Sequence, residues 1–211
     1  MIGTGGDAST KALDAFLGLI AEKGVADVAL RDVAEAAGLG FADLYRLHPD
    51  KVSLIAAFMA RIDADVLAGT PGTRDPEETA RDRLFDVMMR RYDALKPYRG
   101  ALRAIRRAGA RDPLLALAMG PALRRSMAAM LEAAALSSEG LSGALRQNGL
   151  LAIHYAASRV FYHDDSADLS KTMASLDSQL KMAEKWTQLF DKYVKPPGPK
   201  TPPETPVSPA A

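Results

Sequence analysis

The sequence predicts an all-α protein, and three observations carry that prediction. Apolar residues recur at spacings of three and four along most of the chain, as in Leu13, Phe16, Leu17 and Ile20, which is the signature of amphipathic helix. No segment sustains the period-two alternation of a half-buried strand. The composition agrees: Ala, Leu and Arg abound while aromatic residues make up only 6% of the 211, a mix that favours helix over sheet.

Each element follows from its apolar spacing and its stop signals. Residues 10–23 read as a first helix stopped by Gly24, residues 30–37 as a second ended by Gly38, and residues 41–47 as a third ended by Pro49. Asp50 is the expected N-cap of a long fourth helix carrying Leu54, Ile55, Phe58, Ile62 and Val66. The breaker cluster "GTPGTRDPEE" ends it and reads as the loop between two domains. Asp75-Pro76 should open the next helix by placing Pro in the first turn, and that helix runs through Leu84, Val87, Met88 and Tyr92 to Lys96-Pro97. Further helices are expected over residues 98–108, 113–136 with a break at Gly120-Pro121, 141–162 and 166–193. The Pro-rich residues 196–211 carry too little apolar surface to fold and read as a disordered tail. The expected organisation is therefore an N-terminal unit over residues 1–51, a helical unit over residues 52–195, and the tail.

Several functional classes are disfavoured. Without cysteine there is no disulfide framework, thiolate metal site or cysteine nucleophile. His48, His154 and His163 are scattered, no two at helical ligand spacing, so no metal is expected. There is no nucleophile elbow and no phosphate-cradling Gly loop, so neither enzyme activity nor a cofactor is expected. The start lacks a basic region followed by an apolar run, and no stretch approaches ~20 uninterrupted apolar residues, so the expectation is a cytoplasmic protein without a membrane span.

The first fifty residues narrow the reading. A helix, a short helix, a turn holding Gly38 and Gly40, and a second short helix make a helix-turn-helix, whose last helix enters the major groove of DNA. The stretch "ALDAFLGLIAEKGVADVALRDVAEAAGLGFADLYRLHPDKVSLIAAF" resembles the TetR family of bacterial repressors along its length. Glu22-Lys23-Gly24 at the end of the first helix, "RDVAEAAG" in the second, Leu44-Tyr45 in the third and the Pro-Asp-Lys junction into the fourth carry the resemblance. It implies a TetR-like fold: a three-helix DNA-binding head, and a C-terminal domain that pairs with its twin in a homodimer and holds a small apolar ligand whose binding releases operator DNA. By position it implies that Tyr45 and Lys51 touch phosphates, that Arg31 approaches the backbone, and that Gly40, Phe41, Ala42, Asp43 and Arg46 belong to the groove-facing segment.

The chemistry of that segment departs from the family. Where the family commonly has a capping Ser or Thr, then a Lys, a small residue and a Thr, this chain has Gly40, Phe41, Ala42 and Asp43, and His48 replaces a buried aromatic. Residues 1–51 carry five basic and eight acidic side chains, a net −3, whereas DNA affinity comes mostly from neutralising phosphates. Asp43 either accepts from cytosine or caps and solvates, and Phe41 either meets a thymine methyl or packs. A second, fainter resemblance is to ubiquinone-biosynthesis accessory proteins of the same shape, which have lost DNA reading and hold isoprenoid lipid. "RVFYHDDSADLSKTMASLDSQL" is the stretch similar to theirs.

In the C-terminal half, Leu150, Ile153, Ala157, Val160 and Phe161 form one apolar stripe, and Leu169, Met173, Leu176, Leu180, Ala183 and Phe190 another. Two such stripes from two chains make a four-helix dimer interface, or each packs within its own subunit. Met88, Tyr92, Met127 and His154 are the candidate lining of a ligand pocket, with core packing as the alternative for the methionines and for His154. Residues 81–125 hold twelve basic and four acidic groups, net +8. Their stripe Arg99, Arg103 and Arg106 is read as a solvated face that pairs with acidic groups such as those of the head, or as one that meets an acidic ligand, a membrane surface or flanking phosphates.

Overall fold

The computed structural model describes residues 4–71 and 77–193. They form α1 (Thr4–Lys23), α2 (Leu30–Ala36), α3 (Phe41–Leu47), α4 (Lys51–Ala68), α5 (Ala80–Leu95), a 3-10 turn (Lys96–Tyr98), α6 (Arg99–Arg111), α7 (Pro113–Ala133), α8 (Gly140–Phe161) and α9 (Ser170–Tyr193). Among the described residues there is no strand, so the all-α expectation holds. The tail, the side chain of Phe190 and half of the breaker cluster, residues 72–76 with Asp75-Pro76, lie outside the described residues and side chains.

The head is built by local signals. α1 begins one and a half turns earlier than the apolar pattern predicts, because polar contacts support the extra residues: Thr10 Oγ1 donates to the Gly6 carbonyl at 2.9 Å and Lys11 pairs with Asp7 at 2.8 Å. Gly38, at φ 64°, closes α2 by letting the Leu39 amide reach back to the Ala34 carbonyl at 2.9 Å. This left-handed closure sets the helix-turn-helix turn. Asp50 caps α4 as expected, accepting from the Ser53 amide at 2.6 Å while its own amide donates to Ser53 Oγ.

α4 leaves the head and crosses into the rest of the molecule, burying Leu54, Ile55, Phe58, Ile62 and Val66. One continuous core runs from Phe16 and Leu44 through Phe58 to Met88, Tyr92, Met127 and Phe161. Arg61 fastens α4 to the head: Nη1 donates to Asp14 at 2.6 Å and the guanidinium lies 5.2 Å from the Tyr98 ring centroid. α1 also approaches α6 closely, so a Cβ on Gly100 would lie 3.1 Å from the Ala21 methyl.

Three further features differ from expectation. α5 starts at Ala80, where Thr79 Oγ1 accepts from the Asp82 amide at 3.2 Å. α7 does not break at Gly120-Pro121 but runs through Pro121. Proline removes one amide donor, and the carbonyl it leaves over is that of Leu117, four residues earlier, whose side chain is 75% exposed. By length and composition α7 is apolar enough to cross a membrane, yet its C-terminal half buries Ser126, Met127, Met130 and Leu131 in the core. Finally, α9 starts at Ser170 rather than Ser166, because residues 164–169 form a turn around the buried Asp164. Its carboxylate accepts from the Thr172 amide at 2.8 Å, from Thr172 Oγ1 at 2.7 Å, and from Ser166.

Candidate functional site

α3 turns Leu44 into the core and leaves Phe41, Ala42, Asp43, Tyr45 and Arg46 exposed. The exposed aromatic rings of Phe41 and Tyr45 lie 6.2 Å apart, and the Arg31 guanidinium of α2 sits 4.9 Å from the Phe41 centroid. Asp43 forms an ion pair with Arg46 one turn later, and the Cβ-free Gly40 leaves room for its carboxylate, since a Cβ there would meet Oδ2 at 2.9 Å. Arg31 of α2 and Arg46 of α3 therefore already have partners. Lys51, expected on a phosphate, directs Nζ to the carbonyls of Val25 at 2.6 Å and Ala26 at 3.4 Å. Beneath α3, His48 is buried against α1, with Nε2 3.0 Å from Ser9 Oγ. Burial lowers its pKa from the usual histidine value.

A cavity of about 370 Å³ opens on the other side of α4. Met59 of α4, Arg91 of α5, Leu102 of α6, Met119 of α7 and His154 and Tyr155 of α8 are among its lining. Of the four residues expected to form a pocket, only His154 lines it. Met88, Tyr92 and Met127 are wholly buried in the core. Tyr92 stands directly behind His154: its hydroxyl donates to the His154 carbonyl at 3.1 Å and lies 3.2 Å from Nδ1. Burial first, and then the positive charge of Arg91, push the His154 pKa down to about 3, so the ring is neutral at physiological pH. Burial likewise raises the Tyr92 phenol.

Arg91 is the residue that sequence reasoning missed. It is 2% exposed, and Nη1 donates to Asp63 Oδ1 of α4 at 2.5 Å, an oxygen that also accepts from Ser126 of α7 at 2.5 Å. Its Nε is buried with no hydrogen-bond partner among the described residues. Position on the apolar side of α5, between Met88 and Leu95, was the available signal.

Among the described residues the basic stripe makes no ion pair with the head, and of its three arginines only Arg106 is exposed. Arg103 donates through Nε to the Tyr162 carbonyl at 3.0 Å, Arg99 lies 4.8 Å from the Phe161 centroid, and Arg106 5.1 Å from that of Tyr162. All three gather at the C-terminal end of α8, where carbonyls without helical partners and the negative end of the helix dipole attract cations.

A small helix-turn-helix head, carried on a long helix into a larger helical body with an internal cavity, defines the TetR class of fold. Solved structures agree. The chain is similar to a TetR transcriptional regulator from Nitrosomonas europaea, with a TM-score of 0.67 and 20% identity over 84% of this chain and 98% of that one. A TetR transcriptional regulator from a Rhodococcus species gives 0.61 and 20% identity over 83% and 94%. No protein-family model matches the chain, and no curated protein matches it significantly.

Proposed function

We propose that the protein is a TetR-type transcriptional regulator that binds operator DNA as a homodimer and lets go when a small apolar ligand enters the cavity. The observation that carries this reading is the head itself: α2, the Gly38 turn and α3, with Phe41, Ala42, Tyr45 and Arg46 on the free side of the second helix. Such a helix fits the major groove. Its polar contacts are few, so affinity is modest and strongly dependent on salt. α4, which follows α3 directly and contributes Met59 to the cavity wall, offers a mechanical link between ligand and head.

The second reading, a lipid-holding protein of the same shape without DNA function, is favoured by the pairing of Asp43 with Arg46 and by the net −3 of residues 1–51. Selection of DNA from a random pool by the purified protein at low salt decides between them. The regulator reading expects an enriched palindromic sequence; a folded protein that enriches none leaves the lipid-holding reading.

A further inference from the structure

The charge on the cavity wall defines its occupant more narrowly. Three arginines line it, Arg91, Arg106 and Arg159, and no Asp or Glu does. The rest of the wall is largely apolar, and His154 adds no charge because its pKa is lowered to about 3. Arg106 and Arg159 are exposed, whereas Arg91 is almost fully buried, with an Nε–H that lacks a partner among the described residues. A buried donor on a guanidinium is expensive to leave unpaired, and a planar guanidinium matches a carboxylate through two parallel hydrogen bonds.

We propose that the cavity takes a small apolar molecule with a carboxylate head, and that Arg91 is its anchor. This rests on the ligand half of the regulator reading and names the ligand's chemical class. The volume of about 370 Å³ lies toward the small end of small-molecule sites, which span ~300–1,000 Å³, and so suits a medium chain or a compact ring system. Exposed Arg106 and Arg159 draw the anion to the mouth. At the far end the carboxylate meets a guanidinium already holding Asp63 of α4. Ligand and Asp63 are two anions on one cation, so ligand binding weakens the tie between α5 and α4, the helix that continues from the reading head.

The test is titration calorimetry without DNA, using decanoate, decanol and decylamine as probes of one chain length and three headgroups. Decanoate is expected to bind about tenfold or more tighter than decanol, the range set by charge-assisted hydrogen bonds, and decylamine not at all. Asp63→Asn removes the competing anion and is expected to tighten decanoate binding several-fold, a direction that a purely structural role for the pair does not produce. Because Arg91→Gln alone strands Asp63, it is made together with Asp63→Asn, and in that variant decanoate falls to the level of decanol. Equal binding of acid and alcohol, no binding of either, or a double variant that holds decanoate like the unmodified chain overturns the proposal. A protein that binds decanoate but enriches no DNA keeps this assignment and loses only the operator.

Discussion

Lys51 Nζ donates to the backbone carbonyl of Val25 at 2.6 Å, so the first side chain of α4 ties down the connection between α1 and α2. Hydrogen bonds from a charged donor contribute about 1.5–3 kcal/mol, and the partial exposure of Lys51 puts this one at the low end or below. Lys51→Ala is expected to lower the melting temperature by a few degrees, read by circular dichroism. If Lys51 also meets a phosphate, the same variant flattens the slope of log affinity against log salt by about 0.9 per head. A loss of stability with an unchanged slope assigns Lys51 to the fold alone.

Asp43 holds Arg46 within the reading helix. Asp43→Asn frees that guanidinium and removes a negative charge from the face that meets phosphates. Binding is expected to tighten uniformly across DNA sequences, and the salt slope to steepen by about one unit per head. Fluorescence anisotropy on a panel of operators checks this. A change of preference confined to one base pair per half-site would instead make Asp43 a reader of cytosine.

The apolar stripes expected at a dimer surface are mostly buried within the subunit, Leu150, Ala157, Phe161, Leu169, Leu176 and Leu180 among them, so the exposed apolar side chains of α8 and α9 are the surface we expect a twin to cover. Leu141 and Leu145 of α8 are 90% and 69% exposed, and Met173 and Met182 of α9 are 40% and 49% exposed. Light scattering at micromolar concentration should report about twice the 22.5 kDa chain mass. Leu145→Glu should return the protein to a monomer that remains helical and loses palindrome binding, since two linked heads are required. A clean monomer for the unmodified chain removes that mechanism.

Acid should destabilise the fold in two stages. The pKa values of His48 and His154 are lowered by burial, so the unfolded chain binds protons that the folded one refuses. Stability therefore falls as pH drops below about 6.5, the unperturbed histidine value. Asp164 acts in the carboxylate range: burial opposes its ionisation, but the hydrogen bonds from Ser166 and Thr172 outweigh that and hold its pKa well below the usual value. Its contribution is present at neutral pH and disappears as pH falls below about 4. Urea midpoints measured from pH 7 to pH 3 should show both stages, and Asp164→Ala, expected to lower stability by about 2–3 kcal/mol at pH 7, should weaken the second, in which Asp82 and Glu132 also take part.

Much of the fold was legible because its signals are local. Gly38 can close α2 in a left-handed conformation and Asp50 can cap α4 three residues away, both by geometry within one turn of chain. The apolar spacing of Leu13, Phe16, Leu17 and Ile20 likewise states which face of α1 is buried before any partner is known. Pro121 is the local signal that misled: α7 carries it in its interior, although proline removes an amide donor and crowds the carbonyl four residues back.

By itself, then, the sequence determined the helices, the helix-turn-helix head and the acidic character of that head, since these depend on residue identity and spacing alone. Tertiary structure decided what those residues do. Met88, Met127 and His154 occupy similar apolar patterns, yet packing sends the two methionines into the core and His154 to the cavity wall. Lys51 turns to carbonyls 25 and 26 residues away, Arg103 to one 59 residues away, and Arg91 to Asp63 across 28. Periodicity assigns a side chain to a face of its own helix; which atoms lie opposite depends on how helices distant in sequence cross, and that is set by the packing of the whole core.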